Sequence, residues 1–499
     1  MSLAFKNQNI QLSEQKQKIQ LLLEAAVERH QNGNLAAANM IYEKIRKIDP
    51  DNVVALQLSG VLACQVQQYE ASLSLFSRAI YLKPDYAEAY NNRGITFKNM
   101  GQFDDALANY SKAVSLKPDY AEPFNNRALV LEELGRFNEA MINYEQAISL
   151  NPESAEIYSN RALLLKELGR FDEAMADLNK AIALDPDYPE AHWNKALQLL
   201  LFGEFEEGWP LCEWRWKTEQ KHIGTELTTS KPRWSGEANK RVFLWAEQGI
   251  GDEIMYASLI PELAATSSKL IVQCDERLIP LFKRSFVDGI EYRCRKSPAL
   301  EDSYDCHIPM GSLPNIFRPS LDSFSKASKA YLRCESERSQ ELRKTLLKGE
   351  AKTLIGISWN SSSPIVGAHH RNITLSDMAQ HLDGPNVKLV NLQYGDVSDE
   401  IAKLREDHGI EVAEVSEIDN RNDIDGLAAL IMACDQIVSI DNATVHLAGA
   451  LGANTRVLLP FNRSWQWGLE RSDSYWYGSL QLHRQKKPGD WKPTLKTIK

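Results

Sequence analysis

A 34-residue period runs through the first two fifths of the chain and constrains its fold more than any other feature. Six positions related by this period carry only alanine or glycine, as expected where two helices approach closely. They are Ala26, Gly60, Gly94, Ala128, Ala162 and Ala196. Proline closes the first five units, because it lacks an N–H, fixes φ and so stops a helix. The sequence therefore predicts six consecutive helix–turn–helix units.

Glycine marks the turn between the two helices in five of these units, and Gln67 replaces it in the second unit. This pattern resembles the tetratricopeptide repeat over residues 19–217, after an N-terminal extension at residues 1–18. The resemblance implies an α-helical superhelix. The last unit changes into EGWPLCEWRWK, whose aromatic residues suggest that the end of the array docks onto the domain that follows.

Asparagine recurs in four units, two residues before the small residue. The four are Asn92, Asn126, Asn160 and Asn194. A carboxamide both donates and accepts hydrogen bonds, so such a ladder can bind the backbone of a polypeptide acceptor whatever its side chains. The row resembles the asparagine ladder in the repeats of protein O-linked N-acetylglucosamine transferase. An equally open reading is that these side chains bond only between adjacent repeats.

A second periodic row is basic, and it follows the asparagine row by one residue. It consists of Arg93, Arg127, Arg161 and Lys195. These cations either form a solvated basic stripe, which we favour, or attract an acidic ligand.

Composition narrows the class of protein. The net charge is -10 at pH 7, which disfavours a nucleic-acid partner. No apolar run is long enough for a membrane span, and the N-terminus lacks the apolar core of a signal peptide. The seven cysteines are scattered and form no CxxC pair, as expected of reduced thiols. These features predict a cytoplasmic protein.

After residue 217 the pattern changes to short apolar strands that alternate with helices, which indicates parallel sheets covered on both faces. The predicted strands are residues 241–247, 269–274, 305–310, 353–359, 387–394, 436–441 and 456–460. A charged segment at 335–352 divides them into two doubly wound halves, residues 218–348 and 349–499. Ligands bind at the carboxyl ends of the strands in such sheets.

Two segments that directly follow strands are candidates for such a site. In AEQGIGDE, Gly249 and Gly251 permit a tight strand-to-helix turn, and Asp252 begins a helix, where it is either functional or only an N-cap. In SIDNATVHLAGALG, Asp441 ends a strand and Asn442 caps a helix of small residues whose positive end suits a diphosphate. His446 either faces that ligand or fills the interface between the halves.

The loop NSSSPIVGAHHRN at residues 360–372 is a third candidate, because it also follows a strand. It carries His369, His370 and Arg371, and the guanidinium fork of arginine matches phosphate oxygens. The sequence predicts either a basic lid over a leaving diphosphate or a surface loop with incidental charge.

These segments, together with the tail LLPFNRSWQWGLERSDSYWYGSLQLHRQ, resemble family 9 glycosyltransferases, the ADP-heptose lipopolysaccharide heptosyltransferase group, particularly its branch fused to tetratricopeptide repeats. The resemblance covers residues 231–495. It implies a GT-B fold of two facing Rossmann-like halves, and an inverting reaction that needs no metal and no cofactor beyond a nucleotide-sugar co-substrate.

The resemblance also implies a role for individual residues. Asp252 becomes the general base and Arg371 a contact to the donor phosphates. The diphosphate and ribose cradle consists of Asp441, Asn442, Ala443 and Thr444, and the nucleotide side is lined by Leu392, Gln393, Tyr394 and Gly395. Asn442 stands where the family usually has Thr, and the basic loop lacks the family's usual Lys, which leaves the donor sugar open.

An acidic DID sequence at residues 423–425 imitates a metal motif, but it precedes an apolar helix and is better explained as helix capping. We therefore expect no metal site. The predicted function is sugar transfer to Ser or Thr of a bacterial protein, with flagellin as a candidate acceptor. Two alternatives stay open: a saccharide transferase whose repeats serve self-association or assembly, and a non-catalytic scaffold.

Overall fold

The computed structural model describes residues 2–218, 226–326, 329–361, 371–461 and 464–498. The chain divides into two compact units, Met1–Leu164 and Leu165–Lys499. No helix in these described ranges is both long and apolar enough to cross a membrane.

Antiparallel helix pairs make up the N-terminal region, which confirms the predicted helical repeats. The helices are α1 (Ser2–Gln31), α2 (Leu35–Ile48), α3 (Val53–Gln65), α4 (Tyr69–Leu82), α5 (Ala87–Asn99), α6 (Phe103–Leu116), α7 (Ala121–Glu133), α8 (Phe137–Leu150), α9 (Ala155–Glu167), α10 (Phe171–Leu184), α11 (Pro189–Phe202) and α12 (Phe205–Leu211). A 3-10 turn, Cys212–Trp216, follows α12. The residues that we set apart as an N-terminal extension are continuous with α1, because neither Gly nor Pro interrupts residues 2–31.

The small residues of the repeat lie where the two helices of a unit touch. A Cβ atom at Gly94 would lie 2.6 Å from Tyr110 Cε1, and one at Gly60 would lie 2.8 Å from Phe76 Cε1. Ala128 has the same repeat position and is fully buried. The predicted close approach of the helices is therefore present in the structure.

The turn after the first helix of each unit has a left-handed backbone. The φ angle is 73° at Gly33, Gly101 and Gly169. Gln67 adopts nearly the same conformation, with φ 61°. A residue with a Cβ atom pays roughly 1–2 kcal/mol for this conformation, whereas glycine adopts it freely.

Replacing Gln67 with Gly should raise the free energy of unfolding by about 0.5–1 kcal/mol, because the relief of strain exceeds the added chain entropy of glycine. Denaturant unfolding of the full chain measures this change. The matched control is Gln146→Gly at an exposed position of α8, which should instead lower stability by about 1 kcal/mol. Destabilisation by both substitutions would show that residue 67 is not strained.

Two parallel sheets lie in the unit Leu165–Lys499. Their strands are β1 (Arg241–Trp245), β2 (Lys269–Cys274), β3 (Glu291–Cys294), β4 (Cys306–Pro309), β5 (Thr353–Ser358), β6 (Val387–Asn391), β7 (Val412–Ala413), β8 (Gln436–Ile440), β9 (Thr455–Leu459) and β10 (Leu480–Arg484). Their helices are α13 (Ile250–Ala257), α14 (Ile260–Thr266), α15 (Ile279–Ser285), α16 (Leu313–Phe317), α17 (Ser336–Leu347), α18 (Leu375–Leu382), α19 (Ser398–His408), α20 (Ile424–Ala433), α21 (Ala443–Leu451) and α22 (Lys492–Leu495). The C-terminal region is therefore an α/β structure, as predicted.

The strand order locates the place where each sheet can bind a ligand. The first sheet has the order β3-β2-β1-β4, and the second has the order β10-β9-β8-β5-β6-β7. The winding direction reverses between β1 and β4 in the first sheet, and between β5 and β8 in the second. Ligands of doubly wound sheets bind outside the carboxyl ends of the strands at such a reversal.

The last repeat helices share one hydrophobic core with the sheets. Phe205 of α12 packs against Phe324 and Tyr475, with ring centroids 4.7 and 5.2 Å apart. The indole Nε1 of Trp209 donates a hydrogen bond to the Arg318 carbonyl at 2.7 Å. We call these contacts the aromatic joint. They match the docking role predicted for the aromatic end of the array.

Candidate functional site

The two strand–helix turns singled out in the sequence lie against each other. Asp252 is in the first turn of α13, after β1, and Asn442 precedes α21, after β8. A Cβ atom at Gly251 would lie 3.0 Å from His446 Cδ2 and 3.7 Å from Ala443 Cα. The start of α13 therefore faces the start of α21, and glycine allows this close contact.

Asp252 has the electrostatic environment of a base that titrates near neutrality. Burial raises its pKa to about 6, and the negative charges of Glu247 and Asp441 add to the effect. A hydrogen bond from the Gly249 amide to Asp252 Oδ2, 3.2 Å long, opposes the rise. Gly249 is the N-cap of α13 and Asp252 is its third residue, so Asp252 is not the predicted N-cap. Its side chain accepts the amide at the helix start, and its turn also faces the start of α21.

Asn442 holds the start of α21 and ties it to β5. Its Oδ1 accepts hydrogen bonds from the amides of Thr444 and Val445 at 3.0 and 3.4 Å. Its Nδ2 donates to Ser358 Oγ at 2.8 Å. Asn442 therefore serves as the predicted cap, and it already occupies two of the amides at the helix start. The Thr444 hydroxyl is buried and has no hydrogen-bond partner in the described part of the chain.

A cavity of about 320 Å³ lies beside these two turns. Ile250 and Ile254 of α13 line it on one side, and Ala443 and Thr444 of α21 line it on the other. Three further lining residues are apolar, namely Ile424, Leu427 and Leu447, and five are polar, namely Arg277, Ser361, Tyr394, Asn420 and Arg421. The cavity therefore combines an apolar wall with two cations and a helix start.

A second, more polar cavity of about 500 Å³ lies at the ends of β6 and β7 and shares Asn420 and Arg421 with the first. The Asn420 Nδ2 donates to the carbonyls of Asn391 and Gln393, both at 3.1 Å. Its Oδ1 is buried and without a partner among the described residues. Asn420, which lines both cavities, therefore presents an unpaired acceptor oxygen. The two hydrogen bonds of its amide nitrogen fix the orientation of this oxygen.

The four residues expected on the nucleotide side occupy different environments. Tyr394 lines the smaller cavity, whereas Gln393 and Gly395 line the larger one. The Gln393 Oε1 accepts hydrogen bonds from the amides of Trp359 and Asn360 at 2.9 and 2.8 Å, so this side chain ties β5 to β6. Leu392 is fully buried in the core.

His446 fills an interface, which was one of its two predicted placements. Its ring stacks on Trp467 with centroids 5.2 Å apart, and its Nδ1 lies 2.9 Å from the Tyr477 hydroxyl. Burial lowers its pKa to about 4, so the imidazole is neutral at pH 7. Its contact with Gly251 fixes the spacing between α13 and α21.

The predicted basic loop falls mostly outside the described residues, which exclude His369 and His370. Arg371 is described and is not among the described lining of either cavity. It instead lies within electrostatic range of Lys166. The cations that line the smaller cavity are Arg277 and Arg421, which sequence reasoning missed. Arg277 follows the predicted strand β2, a signal that could have identified it.

The asparagine row bonds between neighbouring repeats. Asn126 Nδ2 donates to Asn91 Oδ1 at 3.0 Å, and Asn160 Nδ2 donates to Asn125 Oδ1 at 3.1 Å. Each of these bonds uses one of the two amide protons. These bonds agree with the prediction that the asparagines bond between adjacent repeats. Each carboxamide retains further hydrogen-bonding capacity for a polypeptide.

The basic row is tied to the second helices of the repeats. Arg93 Nε donates to Asn109 Oδ1 at 2.8 Å, and Arg127 Nε donates to Asn143 Oδ1 at 2.6 Å. Both arginines are half-buried. These contacts give the row a structural role that a freely solvated stripe would lack.

The acidic DID sequence contributes a helix cap. Asp423 Oδ1 accepts the Gly426 amide at 2.7 Å and so caps α20, as predicted. No group of three or more His, Cys, Asp or Glu side chains in the described ranges is arranged to hold a metal ion.

Comparison with known proteins adds a family for the helical region. A model described as TPR repeat matches residues 63–101, 131–169 and 162–199, and one described as tetratricopeptide repeat matches residues 87–120. The protein FlbA of Caulobacter vibrioides is 31% identical over 280 residues. That match covers 53% of this chain and 46% of FlbA, so the chain spans less than half of that relative.

Solved structures similar to the helical region include a thermophilic TPR protein of Thermus thermophilus. It is 25% identical, with 36% of this chain and 99% of that chain covered and a TM-score of 0.34. PilF of Pseudomonas aeruginosa is 16% identical, with 40% and 90% covered and a TM-score of 0.36. The family matches and the helix pairs together lead to one conclusion: the N-terminal helical region of this chain consists of tetratricopeptide repeats, and an α/β region follows it.

Proposed function

We propose that the α/β region is an inverting, metal-independent glycosyltransferase of the GT-B type, which moves a sugar from a nucleotide-sugar to a hydroxyl group. The acceptor in this proposal is Ser or Thr of a bacterial protein, flagellin being the first candidate. The observation that carries the proposal is that the first turn of α13, which includes Asp252, lies against the start of α21, and that residues of both turns line a cavity of about 320 Å³.

The chemistry of glycosyl transfer needs a base on one side of the reacting carbon and stabilised negative charge on the other. Asp252 would take the proton of the attacking hydroxyl. The start of α21, where the helix dipole is positive, would stabilise the leaving diphosphate. Arg277 and Arg421 line the same cavity and supply positive charge. Arg371 is not among the described lining of either cavity, so this proposal does not use it as a contact to the donor.

This mechanism predicts how activity depends on pH. Only ionised Asp252 can accept a proton, so kcat/KM should rise with pH through about 6 and then level off. Initial rates at subsaturating acceptor, from about pH 5 to about pH 9, test this prediction. A profile that is flat across this range, or that rises only near the ordinary aspartate pKa, would exclude Asp252 as the titrating base.

The repeats support a polypeptide acceptor. The carboxamides of Asn92, Asn126 and Asn160 recur at one repeat position and keep donors or acceptors that their inter-repeat bonds do not use. A peptide backbone is the ligand that such a ladder can bind without reading side chains. Replacing Asn126 with Ala should therefore raise the KM for a protein acceptor and leave donor hydrolysis unchanged.

The decisive experiment incubates the purified protein with a panel of nucleotide-sugars and a bacterial flagellin, followed by mass spectrometry of the acceptor. A sugar-sized mass increase on Ser or Thr supports the proposal. A thermal-shift screen against ADP, UDP, GDP and CMP identifies the nucleotide, since a ligand at 100 times its Kd stabilises by about 2.7 kcal/mol. If the protein neither transfers sugar nor binds a nucleotide, the proposal is wrong and a non-catalytic scaffold is favoured.

A saccharide acceptor is the second candidate. It is favoured by the inter-repeat bonds of Asn126 and Asn160, because carboxamides committed to the array have less capacity for a peptide. In this case the repeats would serve self-association or assembly. Labelled sugar that appears in glycolipid and not in protein would select this candidate.

A further inference from the structure

We infer that Arg215, in the 3-10 turn that ends the repeat array, is a positioning residue for the base Asp252 and acts through Glu247. This inference rests on the proposed function. It adds that the end of the repeat array contributes a residue that supports the proposed base. The residues involved lie in one compact unit, Leu165–Lys499.

The first observation is a buried charge pair. The side chains of Arg215 and Glu247 are 1% and 0% exposed, and Arg215 Nη2 lies 3.4 Å from Glu247 Oε1. Arg215 Nη2 also donates to Ser312 Oγ at 2.8 Å, and its Nη1 donates to Glu213 Oε1 at 2.9 Å. A buried arginine with these partners has one orientation, because its planar fork is bonded on several sides.

The second observation is that Glu247 depends on this pair. Its Oε1 accepts the Gly311 amide at 2.9 Å, whereas its Oε2 is buried with no partner among the described residues. A Cβ atom at Gly311 would lie 2.5 Å from Glu247 Oε1, so the site is closely packed around the carboxylate. Arg215 is the one cation in the described structure that makes an ion pair with Glu247.

The third observation links Glu247 to the proposed base. Glu247 lies between β1 and α13, in the same turn as Gly249, whose amide bonds Asp252. After burial, the charge of Glu247 is the largest cause that raises the pKa of Asp252. Burial raises the pKa of Glu247, and the charge of Arg215 opposes this rise, so Arg215 favours the charged form of that carboxylate beside the base. Arg215 therefore affects the charge of Glu247, and the charge of Glu247 in turn affects the pKa of Asp252.

The other charged and titratable groups around this site are on elements packed against it. They are Cys212, Glu213 and Arg233 beside Arg215, and Tyr256, Asp441, His446 and Tyr477 around Asp252. None of these forms an ion pair with Glu247 in the described ranges. A change at Arg215 should therefore reach Asp252 mainly through Glu247.

The test compares Arg215→Met, Glu247→Gln and the double variant. Removing one member of a buried pair leaves an uncompensated group, whereas removing both does not. Arg215→Met should therefore lower the melting temperature, and adding Glu247→Gln should restore most of the loss. In transfer assays the acid limb of kcat/KM should move to lower pH by about one unit in Arg215→Met, in Glu247→Gln and in the double variant alike, because each of them removes the charge of Glu247 beside Asp252.

A direct measurement of Asp252 separates positioning from general stability. The protein is labelled with ¹³C at the aspartate carboxyl carbon, and Asp252→Asn identifies the resonance. Glu247→Gln should lower the midpoint of the Asp252 titration by about one pH unit, because a neighbouring negative charge is removed. The matched control is Arg318→Met, another buried arginine, which pairs with Glu262 and should leave the midpoint unchanged.

The outcomes are distinct from those that test the proposed function. An unchanged Asp252 midpoint in Glu247→Gln, or a double variant no more stable than Arg215→Met, would overturn the inference. A wild-type protein that transfers no sugar would instead overturn the proposed function, and the titration and melting experiments would still decide the role of Arg215.

Discussion

Replacing Asp252 with Asn should lower kcat by about 10²- to 10⁴-fold, the range that a positioned general base contributes. The amide is similar in size and cannot accept the proton of the attacking hydroxyl. Asp252 faces the start of α21 across the contact of Gly251 with His446, so the loss should appear in the chemical step. Single-turnover rates measure it, with the nucleotide-sugar that the panel and the thermal-shift screen select.

Two comparisons make this result specific. Nucleotide affinity should stay within about threefold of the wild type, because Asp252 is not expected to bind the leaving group. Asp305→Asn is a matched control. Asp305 lies at the amino-terminal end of β4 and pairs with Arg241, whereas Asp252 follows the carboxyl end of β1. This control should leave the rate unchanged. An Asp252→Asn protein with full activity would remove Asp252 from the mechanism.

Replacing Asn442 with Ala should destabilise the protein by about 2–4 kcal/mol. The substitution removes the cap from the amides of Thr444 and Val445, and it leaves the buried Ser358 hydroxyl without its donor. Because the same residue shapes the start of α21, nucleotide binding should weaken as well. Denaturant unfolding and a nucleotide titration measure the two effects.

The matched control for Asn442 is Thr374→Ala. Thr374 caps α18 through a 3.0 Å bond from the Asp377 amide, but it is exposed and makes no bond to another strand. Its loss should cost about 1 kcal/mol, the value of a cap alone. Similar losses from the two substitutions would mean that the link from Asn442 to β5 contributes nothing.

Much of the fold could be predicted because two periodicities dominate the chain. The 34-residue spacing predicted the helix pairs, and apolar runs predicted seven of the strands in the structure. The strands that were missed are β3, β7 and β10, which all lie at sheet edges. An edge strand pairs on one side only and carries polar residues, as in LQLHR of β10, so it lacks a continuous apolar run.

The candidate site could be predicted only in part. Asp252 and Asn442 follow buried strands within glycine-rich or small-residue turns, and these are local patterns. The pairing of Arg215 with Glu247 joins the end of the repeats to the first sheet, and no spacing in the sequence relates the two residues. Arg421 was missed for a similar reason, because it follows β7, a strand too short to recognise.

The aromatic joint determines where the chain can be truncated without exposing its hydrophobic core. A clone that begins after Lys217, where the 34-residue period ends, would lack Phe205 and Trp209. Phe324 and Tyr475 would then be exposed to solvent. Each of the lost aromatic side chains buries roughly 150–250 Å², so the truncated protein would expose an apolar patch and should aggregate. A shortened chain should instead begin before α11, so that the last two repeat helices still cover these aromatic side chains.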